Sequence, residues 1–124
     1  VNHMAYLFII YIIILFSHIK YYICIMHWKI EKLEKGESFI TKEKGNSMIP
    51  LIYSNQEHEL SPIKLEDVKV GDIVFCKCSG KLYTHLVKAI DPKKGALIGN
   101  NKGNINGWTK TVYGKVTKIL NIKK

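Results

Sequence analysis

The sequence predicts a mainly β domain over residues 28–124. Two observations indicate this class: apolar residues fall in short runs that partly alternate with polar ones, and turn residues separate the runs. The strongest predicted strand is Asp72–Lys77, introduced by a turn at Val70-Gly71-Asp72. The next turn, Ser79-Gly80-Lys81, predicts a hairpin into a second strand, Leu82–Ile90.

The rest of this region carries weaker signals of the same kind. Trp28–Lys35 has the spacing of a short amphipathic helix that ends at Gly36. Gly103–Gly107 is predicted to be a loop. Further strands are predicted at Ser38–Thr41, Ala96–Gly99 and Val112–Ile119. No internal repeat or second domain is evident, and roughly 96 residues suffice for one core.

Residues 1–27 form a separate, apolar N-terminal segment. Residues 5–26 are long enough to cross a bilayer as a helix, and lysines follow the segment while none precedes it. The positive-inside rule then predicts a membrane anchor with a cytoplasmic domain. Two alternatives stay open: a signal peptide, although its basic start and small-residue cleavage site are missing, and a true start at Met26 behind a misread leader, which leaves a cytoplasmic protein.

The charge balance does not favour nucleic acid as the main partner. The formal net charge is +9, and all 19 basic residues are lysines, which apart from Lys20 are scattered along the domain. Arginine, which reads guanine edges through two hydrogen bonds, is absent. Cys24, Cys76 and Cys78 form neither a disulfide framework nor a set of metal ligands at suitable spacing. No metal or cofactor is therefore predicted.

The chemically suggestive segment is Gly45-Asn46-Ser47-Met48-Ile49-Pro50. Gly45 permits unusual backbone dihedrals, and Pro50 disfavours helix at the preceding residue, so Ser47 is expected on a constrained, exposed turn. Such a turn can present a nucleophilic oxygen together with oxyanion donors, here the backbone N–H of Ser47 and the side chain of Asn46. Taken alone, the motif also fits an ordinary turn serine.

His85 is the candidate general base. It lies in a predicted strand beside Leu86 and Val87, where a partly buried neutral imidazole can accept a proton from Ser47. The alternative from the residues alone is a histidine that only hydrogen-bonds within a barrel.

Three segments in order resemble the LexA and signal-peptidase group of serine peptidases. Gly45–Pro50 is similar to the Gly-x-Ser-Met-x-Pro nucleophile box, Gly71–Val74 to the Gly-Asp-Ile-Val box, and Thr84–Val87 to the segment that carries a histidine base in the archaeal and endoplasmic-reticulum signal peptidases. The resemblance covers residues 45–90 and suggests a small bacterial and phage branch. It implies a curled β-sheet fold with Ser47 as nucleophile and His85 as base.

This chain departs from the family at a fourth box. Where the signal peptidases have Gly-Asp-Asn, it has Gly99-Asn100-Asn101. The resemblance therefore implies that Asn100 or Asn101 orients His85, without the negative charge that an aspartate would supply.

The predicted function is that of a serine endopeptidase that cleaves, or self-cleaves, an extended peptide without a cofactor. Two alternatives belong to other classes. One is a catalytically weak or inactive peptide-binding module of the same fold, and the other is a lysine-rich DNA regulator, for which no helix-turn-helix pattern is present.

Overall fold

The computed structural model describes residues 3–121, and the side chains of residues 4–17 and 27–121. The chain divides into two compact units, Val1–Glu31 and Lys32–Lys124. The elements in chain order are α1 (His3–Glu34), β1 (Phe39–Thr41), β2 (His58–Pro62), a 3-10 turn (Leu65–Asp67), β3 (Ile73–Cys78), β4 (Lys81–Asp91), β5 (Gly95–Gly99), β6 (Ile105–Thr109) and β7 (Thr111–Ile119).

One continuous helix replaces the separate short helix predicted at Trp28–Lys35. α1 runs from His3 to Glu34, and large apolar side chains such as Met4 and Phe16 are more than two-thirds exposed on it. Within the described part of the chain, no helix combines the length and the apolar character that a membrane crossing requires. Side chains 18–26 of the predicted anchor lie outside the described residues, so the anchor stays a prediction.

The C-terminal end of α1 is capped at Gly36, as the sequence predicts. Gly36 adopts a left-handed backbone conformation, with φ of +83°. Its N–H donates to the carbonyl of Leu33, and the N–H of Glu37 donates to that of Lys32, which together form a Schellman motif. Leu33 is buried and packs on Gly114 of β7, where an added Cβ would lie 2.9 Å from its Cδ1. The last turn of the helix is thereby fixed to the sheet.

The sheet confirms the mainly β class. Its seven strands pair antiparallel in the order β1-β2-β7-β3-β4-β5-β6. β3 and β4 form the predicted hairpin, and its two central residues, Ser79 and Gly80, have φ of 52° and 81°. Positive φ at both positions matches the twist of a tight two-residue hairpin turn.

Two strands were missed from the sequence. In β2, which runs from His58 to Pro62, buried and partly exposed residues alternate. One of the buried side chains is a histidine, so the sequence does not show the apolar alternation expected of a strand. β6 begins at Ile105, so the prediction of a loop at Gly103–Gly107 is wrong for residues 105–107. β2 has no β-branched or aromatic strand-forming residue, and in β6 the Asn106-Gly107 pair interrupts Ile105 and Trp108 with a turn signal.

The sheet curls around a small apolar core. Thr109 of β6 donates its hydroxyl proton to the carbonyl of Lys77 on β3, although two strands separate β6 from β3 in the sheet. The buried residues of this core are Val68, Val74, Cys76, Val87, Ala96 and Ile98. This core lies beneath β4 and β5 and supports the strand that carries His85.

Cys76 and Cys78 are buried free thiols on β3, and Cys76 belongs to this core. Burial raises the pKa of the Cys76 thiol to about 12, and the neighbouring Cys78 adds to the effect. Because the reactive thiolate of Cys76 is disfavoured and Cys78 is only 1% exposed to a reagent, we expect neither cysteine to be alkylated by iodoacetamide at pH 8 in the folded protein. Peptide mapping should find both modified after unfolding in guanidinium; rapid modification of Cys76 in the native protein would contradict the burial.

We expect Leu33→Ala to destabilise the sheet domain by about 2–4 kcal/mol, because it removes a buried side chain and leaves a cavity above Gly114. Urea unfolding followed by circular dichroism measures the change. Leu51→Ala, at a residue that is 41% exposed, is the matched control and should cost less than about 1 kcal/mol. Equal losses in the two variants would contradict the proposed packing.

Candidate active site

Folding brings the two predicted catalytic side chains together. The Oγ of Ser47 lies 3.1 Å from the Nε2 of His85, although 38 residues separate them in the chain. Both side chains are half-buried, so the pair is shielded without being closed to a ligand. A hydroxyl and an imidazole at this distance can share a proton, which is the geometric requirement for a nucleophile and its general base.

The loop that carries Ser47 joins β1 to β2 and is held by its own hydrogen bonds. The N–H of Gly45 donates to the Oγ of Ser54 at 3.1 Å, and the N–H of Asn55 donates to the carbonyl of Glu43 at 2.7 Å. The loop is anchored beneath by the buried side chains of Met48 and Ile52. These contacts fix the backbone of a segment that has no regular secondary structure.

His85 receives its orientation from Asn106, a residue that the sequence analysis did not single out. The Nδ1 of His85 lies 2.7 Å from the Oδ1 of Asn106. An amide oxygen can only accept a hydrogen bond, so Nδ1 carries the proton in this arrangement. In the neutral ring Nε2 is then an acceptor, and it faces the hydroxyl of Ser47.

Tyr83 stacks on the imidazole. Both residues lie on β4, two positions apart and therefore on the same face, with ring centroids 4.9 Å apart and an interplanar angle of 29°. The stacked ring restricts rotation of His85. Its π face also provides favourable electrostatics for an imidazolium, in the manner of a cation–π contact.

Asn100 and Asn101, the two residues predicted to orient His85, form hydrogen bonds elsewhere. The Oδ1 of Asn100 accepts hydrogen bonds from the backbone N–H groups of Lys102 and Asn104, so this side chain shapes the β5–β6 loop. Asn101 donates its backbone N–H to the carbonyl of Ser47 at 2.9 Å and its side-chain amide to the carbonyl of Ile49 at 3.0 Å. The prediction that one of them contacts His85 is therefore wrong, and Asn101 instead holds the nucleophile loop.

A β-bulge explains why Asn106 was missed. On β5 the neighbours Ile98 and Gly99 pair with Gly107 and Ile105 of β6, so Asn106 is the extra residue between two paired positions. Bulges redirect a side chain relative to the regular alternation of a strand. The Asn-Ile-Asn-Gly sequence carried only a general turn signal, and simple alternation could not place Asn106 toward His85.

The predicted oxyanion donors lie at the edge of the same site. Among the described residues, neither the backbone N–H of Ser47 nor the side chain of Asn46 has a hydrogen-bond acceptor. Asn46 is exposed, and its carbonyl accepts a hydrogen bond from the N–H of Ile49 at 3.4 Å. The oxyanion role of both groups stays a prediction, since donors are present but no geometry for a bound oxygen is defined.

A cleft of about 200 Å³ opens beside Ser47 and His85. The nucleophile loop forms one wall, β4 forms the other, and the first residue of β2 contributes to the lining. The lining side chains that carry charge or a polar group besides the dyad are Glu43, Lys44, Tyr53, His58, Tyr83 and Thr84. Of these six, the sequence analysis named only Thr84, as the first residue of the histidine segment, and it assigned a site role to none, because their polarity is ordinary for loop and strand residues.

Comparison with known proteins adds no family assignment. No protein-family model matches the chain, and no curated protein matches it. Within the described residues, no group of three or more histidine, cysteine, aspartate or glutamate side chains is arranged to hold a metal ion. The chemical interpretation therefore depends on the site geometry, which defines a serine–histidine–asparagine arrangement.

We expect Asn106→Asp to increase the reactivity of Ser47 toward a fluorophosphonate by at least about tenfold, because a carboxylate would stabilise the imidazolium that forms as the serine proton is transferred. Asn106→Ala should decrease it by a similar factor through loss of ring orientation. Labelling rates measured by intact-protein mass spectrometry test both changes.

Asn104→Asp is the control for added charge, since Asn104 is exposed on the adjoining loop. An equal rate increase in Asn104→Asp and Asn106→Asp would show that general electrostatics, rather than the contact with His85, causes the effect.

Proposed function

We propose that this protein is a serine peptidase of the LexA and signal-peptidase type, with Ser47 as nucleophile and His85 as general base. The observation that carries the proposal is the 3.1 Å separation of Ser47 Oγ and His85 Nε2. The curled, mainly β sheet and the order of the three sequence boxes support the family likeness.

The proposed reaction follows from the tautomer of His85. Ser47 Oγ attacks the carbonyl carbon of a peptide bond while Nε2 accepts the hydroxyl proton, which gives a tetrahedral oxyanion and an imidazolium. The imidazolium then donates this proton to the leaving amine as the C–N bond breaks. Water, activated by the same nitrogen, hydrolyses the resulting ester and releases the acid.

Asn106 takes the place that an aspartate holds in a serine triad. It accepts the Nδ1–H of His85 and fixes the productive tautomer, but it adds no negative charge. A slow enzyme, including one that cleaves a segment of its own chain, is consistent with this substitution. The same observation favours the second candidate function, a peptide-binding module of this fold with little or no hydrolytic activity.

The proposed substrate is a protein segment in extended conformation. An extended peptide can pair with a strand edge near Ser47 and place one side chain in the cleft beside β4. Such binding uses backbone hydrogen bonds for affinity and the cleft for selectivity. Hydrolysis and mere binding would share this mode, so only the reactivity of Ser47 separates them.

A fluorophosphonate probe tests the catalytic proposal. We expect a covalent adduct on the peptide that contains Ser47, with release of fluoride, because the base lies within reach of the hydroxyl. Ser47→Ala should abolish the adduct, and His85→Gln should slow its formation by about 100-fold or more.

The control for general serine reactivity is Ser38→Ala, which removes an exposed hydroxyl outside the cleft and should leave the labelling rate unchanged. If the wild-type protein is not labelled at Ser47 under conditions that label an authentic serine hydrolase, the binding-module function replaces the peptidase.

A further inference from the structure

Asn106, the residue that orients His85, is the one asparagine of the sequence that a glycine follows. In an Asn-Gly pair the backbone nitrogen of the glycine can attack the side-chain amide of the asparagine, because no Cβ on the glycine obstructs it. The product is a cyclic imide, which water opens to a carboxylate. This reaction makes asparagine a thermolabile residue. Asn106 is therefore the asparagine of this chain best suited to spontaneous deamidation.

The fold requires the glycine that makes this pair reactive. Gly107 has φ of +137°, a backbone conformation that residues with a side chain rarely adopt. It directly follows the β-bulge at Asn106, where the regular pairing of β6 with β5 is interrupted. The irregularity that turns Asn106 toward His85 thus also keeps an unhindered backbone nitrogen next to its side chain.

His85 holds the amide of Asn106 as an oxyanion hole holds a carbonyl group. The Nδ1–H of His85 donates to the Oδ1 of Asn106 at 2.7 Å. Negative charge develops on this oxygen when the nitrogen of Gly107 attacks Cγ. A donor that is already in place stabilises the tetrahedral intermediate of such an attack. The contact that orients the imidazole therefore also activates the amide.

The nitrogen of the same amide is free to leave. In the part of the chain that the structure describes, the Nδ2 of Asn106 has no hydrogen-bond acceptor. It is not among the buried atoms without a partner, and the side chain is half-buried, so this nitrogen is accessible to water. Water can protonate it and carry it away as ammonia.

We propose that Asn106 is a site of spontaneous deamidation, and that its conversion to the aspartyl form activates the pair of Ser47 and His85. The nitrogen of Gly107 loses its proton to solvent and bonds to Cγ, and the bond from Cγ to Nδ2 breaks with release of ammonia. Water then cleaves the new bond between Cγ and the nitrogen of Gly107, which restores the backbone amide and leaves a carboxylate beside Nδ1 of His85. The activation rests on the proposed peptidase function, whereas the modification does not.

The sheet favours the aspartyl product over its isomer. Opening of the imide at the other carbonyl would give an isoaspartyl residue, which adds a methylene group to the backbone of β6. The residues on either side of Asn106 are paired with β5, so the fold fixes the length of chain between them. Opening at Cγ preserves this length. It also gives His85 a charged acceptor, which binds the Nδ1–H more strongly than an amide does.

Ageing of the purified wild-type protein tests the modification. The folded protein is held at pH 8 and sampled over days by peptide mapping with tandem mass spectrometry, which locates each gain of about one mass unit. We expect the gain to accumulate at Asn106. Asn104 is the internal control, because it is exposed on the adjoining loop but precedes isoleucine. Conversion at Asn106 no faster than at Asn104 would overturn the proposal.

Separation of the two forms tests the activation. The aspartyl form carries one more negative charge, so cation-exchange chromatography separates it from the parent protein. We expect it to react with a fluorophosphonate at Ser47 at least about tenfold faster than the parent, at the rate of Asn106→Asp. Asn106→Gln, which keeps an amide but does not form the five-membered imide, should show no gain in labelling rate on ageing. Equal labelling rates in the two fractions would overturn the activation.

The two measurements separate failure of the modification from failure of the peptidase. Conversion at Asn106 without labelling of Ser47 in either fraction or in Asn106→Asp would reject the peptidase, and with it the activation, and would keep the modification site. Labelling of Ser47 in a protein whose Asn106 stays unconverted on ageing would keep the peptidase and reject the modification site. Ser47→Ala should deamidate at the wild-type rate, since the Ser47 hydroxyl takes no part in the reaction.

Discussion

The 2.7 Å hydrogen bond between Asn106 and His85 is the interaction on which the candidate site depends. It fixes the proton on Nδ1, and so makes Nε2 an acceptor for the Ser47 hydroxyl. The three residues come from three distant segments: a loop between β1 and β2, the strand β4, and the edge strand β6. Their meeting requires the sheet to curl, which brings β6 back toward β3 and places β4 against the nucleophile loop.

In the proposed peptidase, an asparagine in this position stabilises the imidazolium less than an aspartate would, but it costs less free energy to bury. A carboxylate beside His85 would have to be desolvated in a half-buried site, and that cost is recovered only when the ring becomes charged. The neutral amide avoids it and still sets the tautomer. Tyr83, stacked on the ring, offers part of the electrostatic support that the amide cannot give. The site is therefore well oriented and weakly charged.

Much of the fold could be predicted from the sequence because the strongest strands and turns are locally encoded. β3, β4 and their hairpin turn were placed within about a residue, since the apolar runs and the Ser79-Gly80 pair are explicit signals. Ser47 and His85 could be proposed because their neighbours form recognisable boxes. The sequence predicted two helical segments, an apolar one at residues 5–26 and an amphipathic one at Trp28–Lys35, where the structure has a single helix, since no glycine or proline separates the two segments.

The remaining features depend on register, which local sequence does not encode. Asn106 contacts His85 because β6 contains one extra residue at this point. The neighbouring Gly99-Asn100-Asn101 stretch resembles a family box, whereas the segment that contains Asn106 does not. In the sequence, nothing distinguishes His58 and Glu43 from ordinary polar residues. Tertiary packing alone buries His58, leaves the Glu43 side chain 36% exposed, and places both along one cleft.

The β5–β6 hairpin holds both the nucleophile loop and His85 through hydrogen bonds. Its loop residue Asn101 bonds the carbonyls of Ser47 and Ile49, and its second strand supplies Asn106 to the imidazole. β6 is the edge strand and most of its residues are exposed or half-buried, so it opens at a lower free energy than β5, whose Ala96 and Ile98 belong to the core. Detachment of β6 with the adjoining loop would release the nucleophile loop and disorient His85 in a single step. Assembly of the proposed active site is thereby coupled to a local opening equilibrium, and amide exchange at 100–107 reports the fraction of molecules in which the site is assembled.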